Sequence, residues 1–264
     1  MDTHATSTSL SLKKRVTLFT SFLILLLPMV VVADVCTYEK TVSFTVPVDA
    51  VQRLSIRAET GQLDVQAVAG QQSVIVDATV CSTRMADLED MDVVHEQRDE
   101  VLLIQTLVPE LHSSFWVNHP PYIDLNVSVP AGLAVTIKDG SGDMQISGTG
   151  ELRIDDGSGG INVSNIVGAV TIEDGSGEIS VEDVDGAVDI RDGSGPVDIS
   201  HVMSDVVVDD GSGSLRIAEI GGSVSISDGS GSIDVRDVEQ QVAVHEDGSG
   251  STDYRRVRGE VVLP

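Results

Sequence analysis

The chain has 264 residues, 41% of them hydrophobic but only 3% aromatic, and 42 Asp and Glu stand against 16 Lys and Arg for a net charge of −26. So acidic a surface repels polyanions, which excludes nucleic acid as a partner and disfavours anionic lipid headgroups. It favours solubility and attracts divalent cations.

The first element is a leader over residues 1–33. Lys13, Lys14 and Arg15 precede the apolar run "VTLFTSFLILLLPMVVV", and Val31 and Ala33 offer the small residues of a cleavage site before Asp34. A basic stretch, an apolar stretch and a small-residue exit together read as a secretory signal peptide, which predicts an exported, periplasmic or cell-surface protein. The run sits at the short limit for crossing a bilayer, so membrane association is expected only if the leader stays uncut. Cys36 is not expected to carry a lipid, because Val35 fills the place where a small residue is required. In an oxidising compartment Cys36 and Cys81 are expected to form a disulfide. No C-x-x-C motif is present, so zinc and thioredoxin-like chemistry have no support.

Residues 34–53 read as an N-terminal strand and cap, and 54–133 as a diverged first coil with an inserted β meander. The stretch "LSIRAETGQLDVQAVAG" at 54–70 aligns with "VTIEDGSGEISVEDVDG" at 170–186, matching Leu54, Ile56, Leu63, Val65 and Val68 to apolar positions and placing Ala58 where aspartate recurs. Between 73 and 131, "SVIVDATV", "VLLIQTL" and "YIDLNVSV" predict strands of an antiparallel meander, and "RMADLEDMD" a short helix. The loop "SSFWVNHPPY" at 113–122 gathers Phe115, Trp116, His119 and Tyr122. It is either a docking surface for a sugar or protein or a plug in the open end of the fold. Trp116→Ala would separate the two by losing binding or losing folding.

Residues 134–264 form the regular part. The tetrapeptide DGSG begins at Asp139, Asp156, Asp174, Asp192, Asp210, Asp228 and Asp247, in steps of 17, 18, 18, 18, 18 and 19 residues. Between the tetrapeptides, Val and Ile alternate at a period of two, which is strand periodicity in strand-favouring residues. A fixed period near 18 with short strands in each unit predicts an all-β, parallel β-solenoid, a single-stranded β-helix with right-handed coiling favoured, whose coils stack about 4.8 Å apart. Asp-Gly and Ser-Gly are turn chemistry, so DGSG is expected at one corner of every coil. Seven carboxylates in a stack repel, and two things can offset this: local hydrogen bonds with raised pKa values, or calcium, which takes carboxylate, carbonyl and water oxygens. The seven aspartates are therefore calcium candidates as well as corner residues. No other cofactor is expected. The chain carries no G-x-S-x-G, no H-E-x-x-H and no phosphate-binding glycine loop, and its histidines are scattered, so no catalytic residues are assigned. At the C-terminal end, "YRRVRGE" predicts a charged cap against edge pairing.

The segment "VSVPAGLAVTIKDGSGDMQISG" at 127–148, followed by units such as "VDIRDGSGPVDIS", resembles a bacterial family of exported β-strand-repeat proteins of unknown function that carry the label "putative adhesin". The likeness covers roughly residues 42–264. In that family an apolar strand ending in VPAGL leads into repeats built on G-S-G turns. The resemblance implies a parallel β-solenoid outside the cytoplasmic membrane, with no established activity and no catalytic residues to carry over. The reading of the whole chain is a non-enzymatic exported solenoid with a structural or adhesion role at the cell envelope, partnered by an envelope protein or glycan. The alternatives are a calcium-dependent surface adhesion module and a polysaccharide-acting β-helix enzyme.

Overall fold

The computed structural model describes residues 36–109 and 120–264. The leader and three of the aromatic-loop residues, Phe115, Trp116 and His119, lie outside these residues. Tyr122 lies within them.

The N-terminal third contributes β1 (Tyr38–Pro47), β2 (Arg53–Arg57), β3 (Leu63–Val68), β4 (Ser73–Ser82), the short helix α1 (Met85–Asp90), β5 (Asp92–Arg98), β6 (Val101–Leu107) and β7 (Tyr122–Pro130). Seven regular coils follow. Each has one strand in each of two facing sheets: β8 (Ala134–Lys138) with β9 (Met144–Ser147), β10 (Leu152–Asp156) with β11 (Ile161–Ile166), and β12 (Val170–Asp174) with β13 (Ile179–Val184). They continue with β14 (Val188–Asp192) and β15 (Val197–Val202), β16 (Val206–Asp210) and β17 (Gly213–Ile220), β18 (Val224–Asp228) and β19 (Gly231–Val238), then β20 (Val242–Asp247) and β21 (Gly250–Val257). A last short strand, β22 (Val261–Val262), pairs with β20. The result is a flattened parallel β-solenoid of two 11-stranded sheets.

The repeat explains the stacking. Ile172 pairs in register with Ile154 on one side and Ile190 on the other, so equivalent residues of successive coils form columns. Val170, Ile172, Ile179, Val181 and Val184 all point inward and are buried. A single coil has no second layer to cover this apolar face, so the stack makes the core. Coil length varies only where a corner or strand gains or loses a residue. The 19-residue step to Asp247 is a register shift in β20 opposite Ile226 and Ser227.

In the regular coils the odd-numbered strand changes face midway. Asn165, Asp183, His201, Glu219, Asp237 and Arg256 have φ between 55° and 60°. One left-handed residue shifts the alternation, so Val181 and Val184, three apart, both face inward. The upstream coil lacks this step: Ala67 packs toward the core, and Val68 is left 38% exposed, which corrects its expected burial.

The expected meander is also more than an insertion. The pairs β1–β4, β4–β7 and β5–β6 are antiparallel. Yet β6 pairs in parallel with β2, and β7 in parallel with β3. The segment therefore builds a further coil on the outer side of β2–β3, while β8–β9 stacks on the inner side. The apolar alternation of β6 and β7 suits either direction of pairing.

Cys36 and Cys81 are disulfide-bonded, with 5.5 Å between their Cα atoms and 45 residues between them in sequence. The bond ties the start of β1 to the end of β4, next to the Tyr38–Ser82 end of that pair. Replacing both cysteines by serine is expected to cost about 2–4 kcal/mol. A thermal melt with and without reductant reads this directly; identical melting temperatures would show that β1 holds its place without the bond.

Candidate functional site

The first candidate is the DGSG corner. The period of two that carries Val188 and Ile190 inward also carries Asp192 inward. Six of the seven aspartates, Asp139 to Asp228, are only 1–7% exposed, and Asp247 is half-buried. Their carboxylates line the interior edge of the corner rather than its outer surface. The backbone N–H groups of Ser176, Ser194, Ser212 and Ser230 donate to Oδ1 of Asp174, Asp192, Asp210 and Asp228 at 3.0–3.2 Å. The serine contributes its backbone N–H to this bond. Oδ2 of these four, and both oxygens of Asp139 and Asp156, are buried without a hydrogen-bond partner among the described residues. In the last coil the Thr252 hydroxyl donates to Oδ2 of Asp247 at 2.6 Å.

Burial raises the pKa of the aspartates from Asp139 to Asp228. Asp139 is pushed up to about 7 by desolvation and then by the charge of Asp156. Asp210 reaches about 6, again by desolvation first and then by Asp192 and Asp228. Ala58 occupies the equivalent position of the upstream coil, whose corner stacks on this one through the Thr60–Ser141 bridge.

The glycines have a different reason. Consecutive corners are joined by hydrogen bonds such as Gly195 N–H to Ser212 O at 2.9 Å and Gly193 N–H to Asp174 O at 3.0 Å. At Gly195, with φ +145°, a Cβ would stand 1.7 Å from the carbonyl oxygen of Gly177 in the preceding coil. At Gly193 it would stand 2.5 Å from that of Gly175. The tetrapeptide is thus one inward carboxylate, one amide that holds it, and two positions where only hydrogen fits.

The second candidate lies at the opposite corner. Two outer columns flank a groove of about 940 Å³ there. One is the left-handed column from Asn165 to Arg256. The other is Val167, Asp185, Met203, Gly221, Glu239 and Arg258, aligned by bonds such as Met203 N–H to Val184 O at 2.9 Å. His201 places Nε2 2.9 Å from Oε2 of Glu219 and Nδ1 3.6 Å from Oε1 of Glu182. Donor atoms of Glu182, Asp183 and His201 lie within 4.8 Å of one another, the described group best placed to hold a metal ion, and all three side chains are exposed. Sequence reasoning missed this column. Its signal is a polar or glycine residue nine positions after each DGSG aspartate, from Gly148 and Asn165 through to Arg256.

The arginines of "YRRVRGE" lie at the terminal strand of their sheet, where a charged cap is expected. They belong to β21 and the turn after it, and they reach back one coil. Arg255 pairs with Asp234 at 3.1 Å, Arg256 pairs with Asp237, and Arg258 pairs with Glu239 at 2.6 Å. Of the aromatic-loop residues, Tyr122 is the first residue of β7, opposite Cys81.

Three solved structures are similar to the chain at low identity. A "putative lipid binding protein" from Parabacteroides distasonis is 12% identical, covering 84% of this chain and 94% of that one, with a TM-score of 0.53. A "putative cell adhesion protein" from Clostridium sporogenes is 12% identical over 85% and 98%, with a TM-score of 0.40. A "putative adhesin" from Bacteroides fragilis is 11% identical over 85% and 97%, with a TM-score of 0.39. The first supports the fold. No curated protein matches the chain. Among the described residues, no helix is long and apolar enough to cross a membrane. The Toastrack DUF4097 family matches residues 5–202, from the leader through the first regular coils, and the chain belongs to that family.

Proposed function

We propose that the chain is a non-enzymatic solenoid exported to the cell envelope, where its outer columns bind an envelope protein or glycan and its stacked coils serve as a stiff spacer. One observation carries this reading. The aspartate that recurs in every regular coil faces inward and holds its corner, whereas the outward columns differ from coil to coil, as in Asn165, Asp183, His201 and Glu219. A recognition surface needs such outward variety, while a catalytic pair needs two groups converging in one cleft. The Cys36–Cys81 bond and the leader sequence support export.

Alkaline phosphatase fused after Pro264 of the full chain is expected to be active, because it folds only outside the reducing cytoplasm. An inactive but intact fusion would overturn export. Incubation with acidic polysaccharides is expected to release no new reducing ends, and turnover abolished by a single substitution would overturn the non-enzymatic reading.

A calcium-dependent module is the second reading. The buried, unpartnered Oδ2 atoms favour it, since such oxygens call for a proton or a cation. Calcium, however, takes six to eight oxygens at about 2.3–2.6 Å, and each coil supplies one carboxylate.

A further inference from the structure

We infer that the groove at the second corner is a docking surface for an extended polypeptide segment carrying arginines three residues apart. This deepens the binding role proposed above and rests on it for the partner's place in the envelope.

The groove combines acidic and apolar features. Met203 and Val167, 72% and 62% exposed, are the most exposed large apolar residues among those described, and both stand in one of its flanking columns. Asp183 and Asp185 face the groove from neighbouring columns of one coil, and among the described residues their exposed carboxylates take part in no hydrogen bond or ion pair. Glu219 stands two coils further along, with the His201 ring against it.

The chain itself shows what these columns accept. At the C-terminal end of the groove the last coil supplies one arginine to each column. The Arg256 guanidinium engages both carboxylate oxygens of Asp237, with Nη2 to Oδ2 at 2.7 Å, and Arg258 takes Glu239 at 2.6 Å. Such a two-bond fork is the geometry arginine offers and lysine cannot. Those two acids are thereby occupied, while Asp183 and Asp185 are left for a partner and Glu219 is shared with the His201 ring.

The spacing selects the partner's shape. Coils repeat at about 4.8 Å, so Asp183 and Glu219, two coils apart, are separated by about 9.6 Å along the stack. A polyproline-II segment advances about 3.1 Å per residue with three residues per turn, so arginines at i and i+3 fall on one face about 9.3 Å apart. The residues between them would lie over Met203, in the coil between, with Val167 one coil before Asp185.

A fluorescein-labelled (Arg-Pro-Pro)4 peptide, titrated with the full-length chain at low salt and followed by fluorescence anisotropy, tests this. Saturable binding is expected, weakened tenfold or more by Asp183→Asn with Asp185→Asn. Asp189→Asn with Asp209→Asn, the same charge change on the outer face of the other sheet, is expected to weaken it twofold or less. Asparagine already occupies the left-handed site at Asn165, so the first pair should keep its fold, and an unshifted melt checks that. Equal weakening by both pairs, or no saturation, overturns the proposal and leaves only bulk charge attraction. If the phosphatase fusion is active and the peptide fails, the groove assignment falls alone; if the fusion is inactive and the peptide binds, the envelope reading falls alone.

Discussion

Gly195→Ala is expected to abolish the folded solenoid or to destabilise it by about 4 kcal/mol or more, beyond what most single substitutions do. Two effects combine at this residue. Its φ of +145° is a conformation that L side chains rarely adopt, and the new methyl group would lie 1.7 Å from the Gly177 carbonyl oxygen. That oxygen belongs to the backbone of the preceding corner, which is locked in a hydrogen-bonded ladder on both sides, so neither partner can yield without opening a coil. Gly70→Ala is the control. Gly70 has φ +79° but no atom within 4 Å of its Cβ position, so the change should cost only the left-handed penalty of about 1–2 kcal/mol. Far-ultraviolet circular dichroism and thermal melts of the two variants measure the difference. Equal losses would show that stacking at the corner does not dictate the motif.

The aspartate stack should make the protein more stable in mild acid than at neutral pH. The folded-state pKa is raised, to about 7 at Asp139 and about 6 at Asp210, against 3.8 for an ordinary aspartate. Between those values the folded chain binds more protons than the unfolded chain, so stability falls as pH rises from 4 to 7 and gains nothing more below 4. A rise of about 5 °C or more in melting temperature from pH 8 to pH 5 is expected, since 1 kcal/mol corresponds to about 2–4 °C in a chain of this size. The net charge of −26 pushes the same way, so substitution is needed to separate the causes. Asn at positions 139, 156, 174 and 210 removes four of the six buried carboxylates. It retains an oxygen for the serine N–H at 174 and 210 and adds an amide that can donate to the next coil, as in stacked asparagine ladders. This variant should melt higher than the parent at pH 8 and show a flatter pH profile. If the aspartates instead hold calcium, the parent will gain stability from calcium over chelator, magnesium will not substitute, and the four-Asn variant will melt lower.

The regular coils were legible because their information is local and repeated. Val170, Ile172, Ile179 and Val181 announce their faces by alternation, and all are buried. The direction of the aspartates was legible in principle, since Val188, Ile190 and Asp192 lie on one face by the same rule. An acidic residue at a turn invites the opposite reading, because an exposed carboxylate costs nothing. The second corner was harder. Its left-handed position is filled by Asn, Asp, His, Glu and Arg, of which only Asn and Asp advertise such a backbone. Val68 was misplaced for that reason, since burial at the matching position depends on a φ that the apolar pattern does not encode. The pairing of β6 and β7 was not legible at all, because which strand a segment meets is decided by partners far away in sequence.

That pairing bears on the order in which the molecule can assemble. The coil of β2 and β3 lies between β6–β7 and β8–β9, so one edge can close only once Pro130 has been synthesised and the other only once Ser147 has. Apart from the β5–β6 hairpin, the strands before that point must find partners across long loops, which is the slow kind of contact to make. Everything after it lands on a finished edge and pairs with residues one repeat back. Nucleation therefore belongs to residues 38–147 and growth to the DGSG coils, so that deleting or duplicating an 18-residue unit in the middle should change the length of the rod while leaving its folding rate nearly untouched.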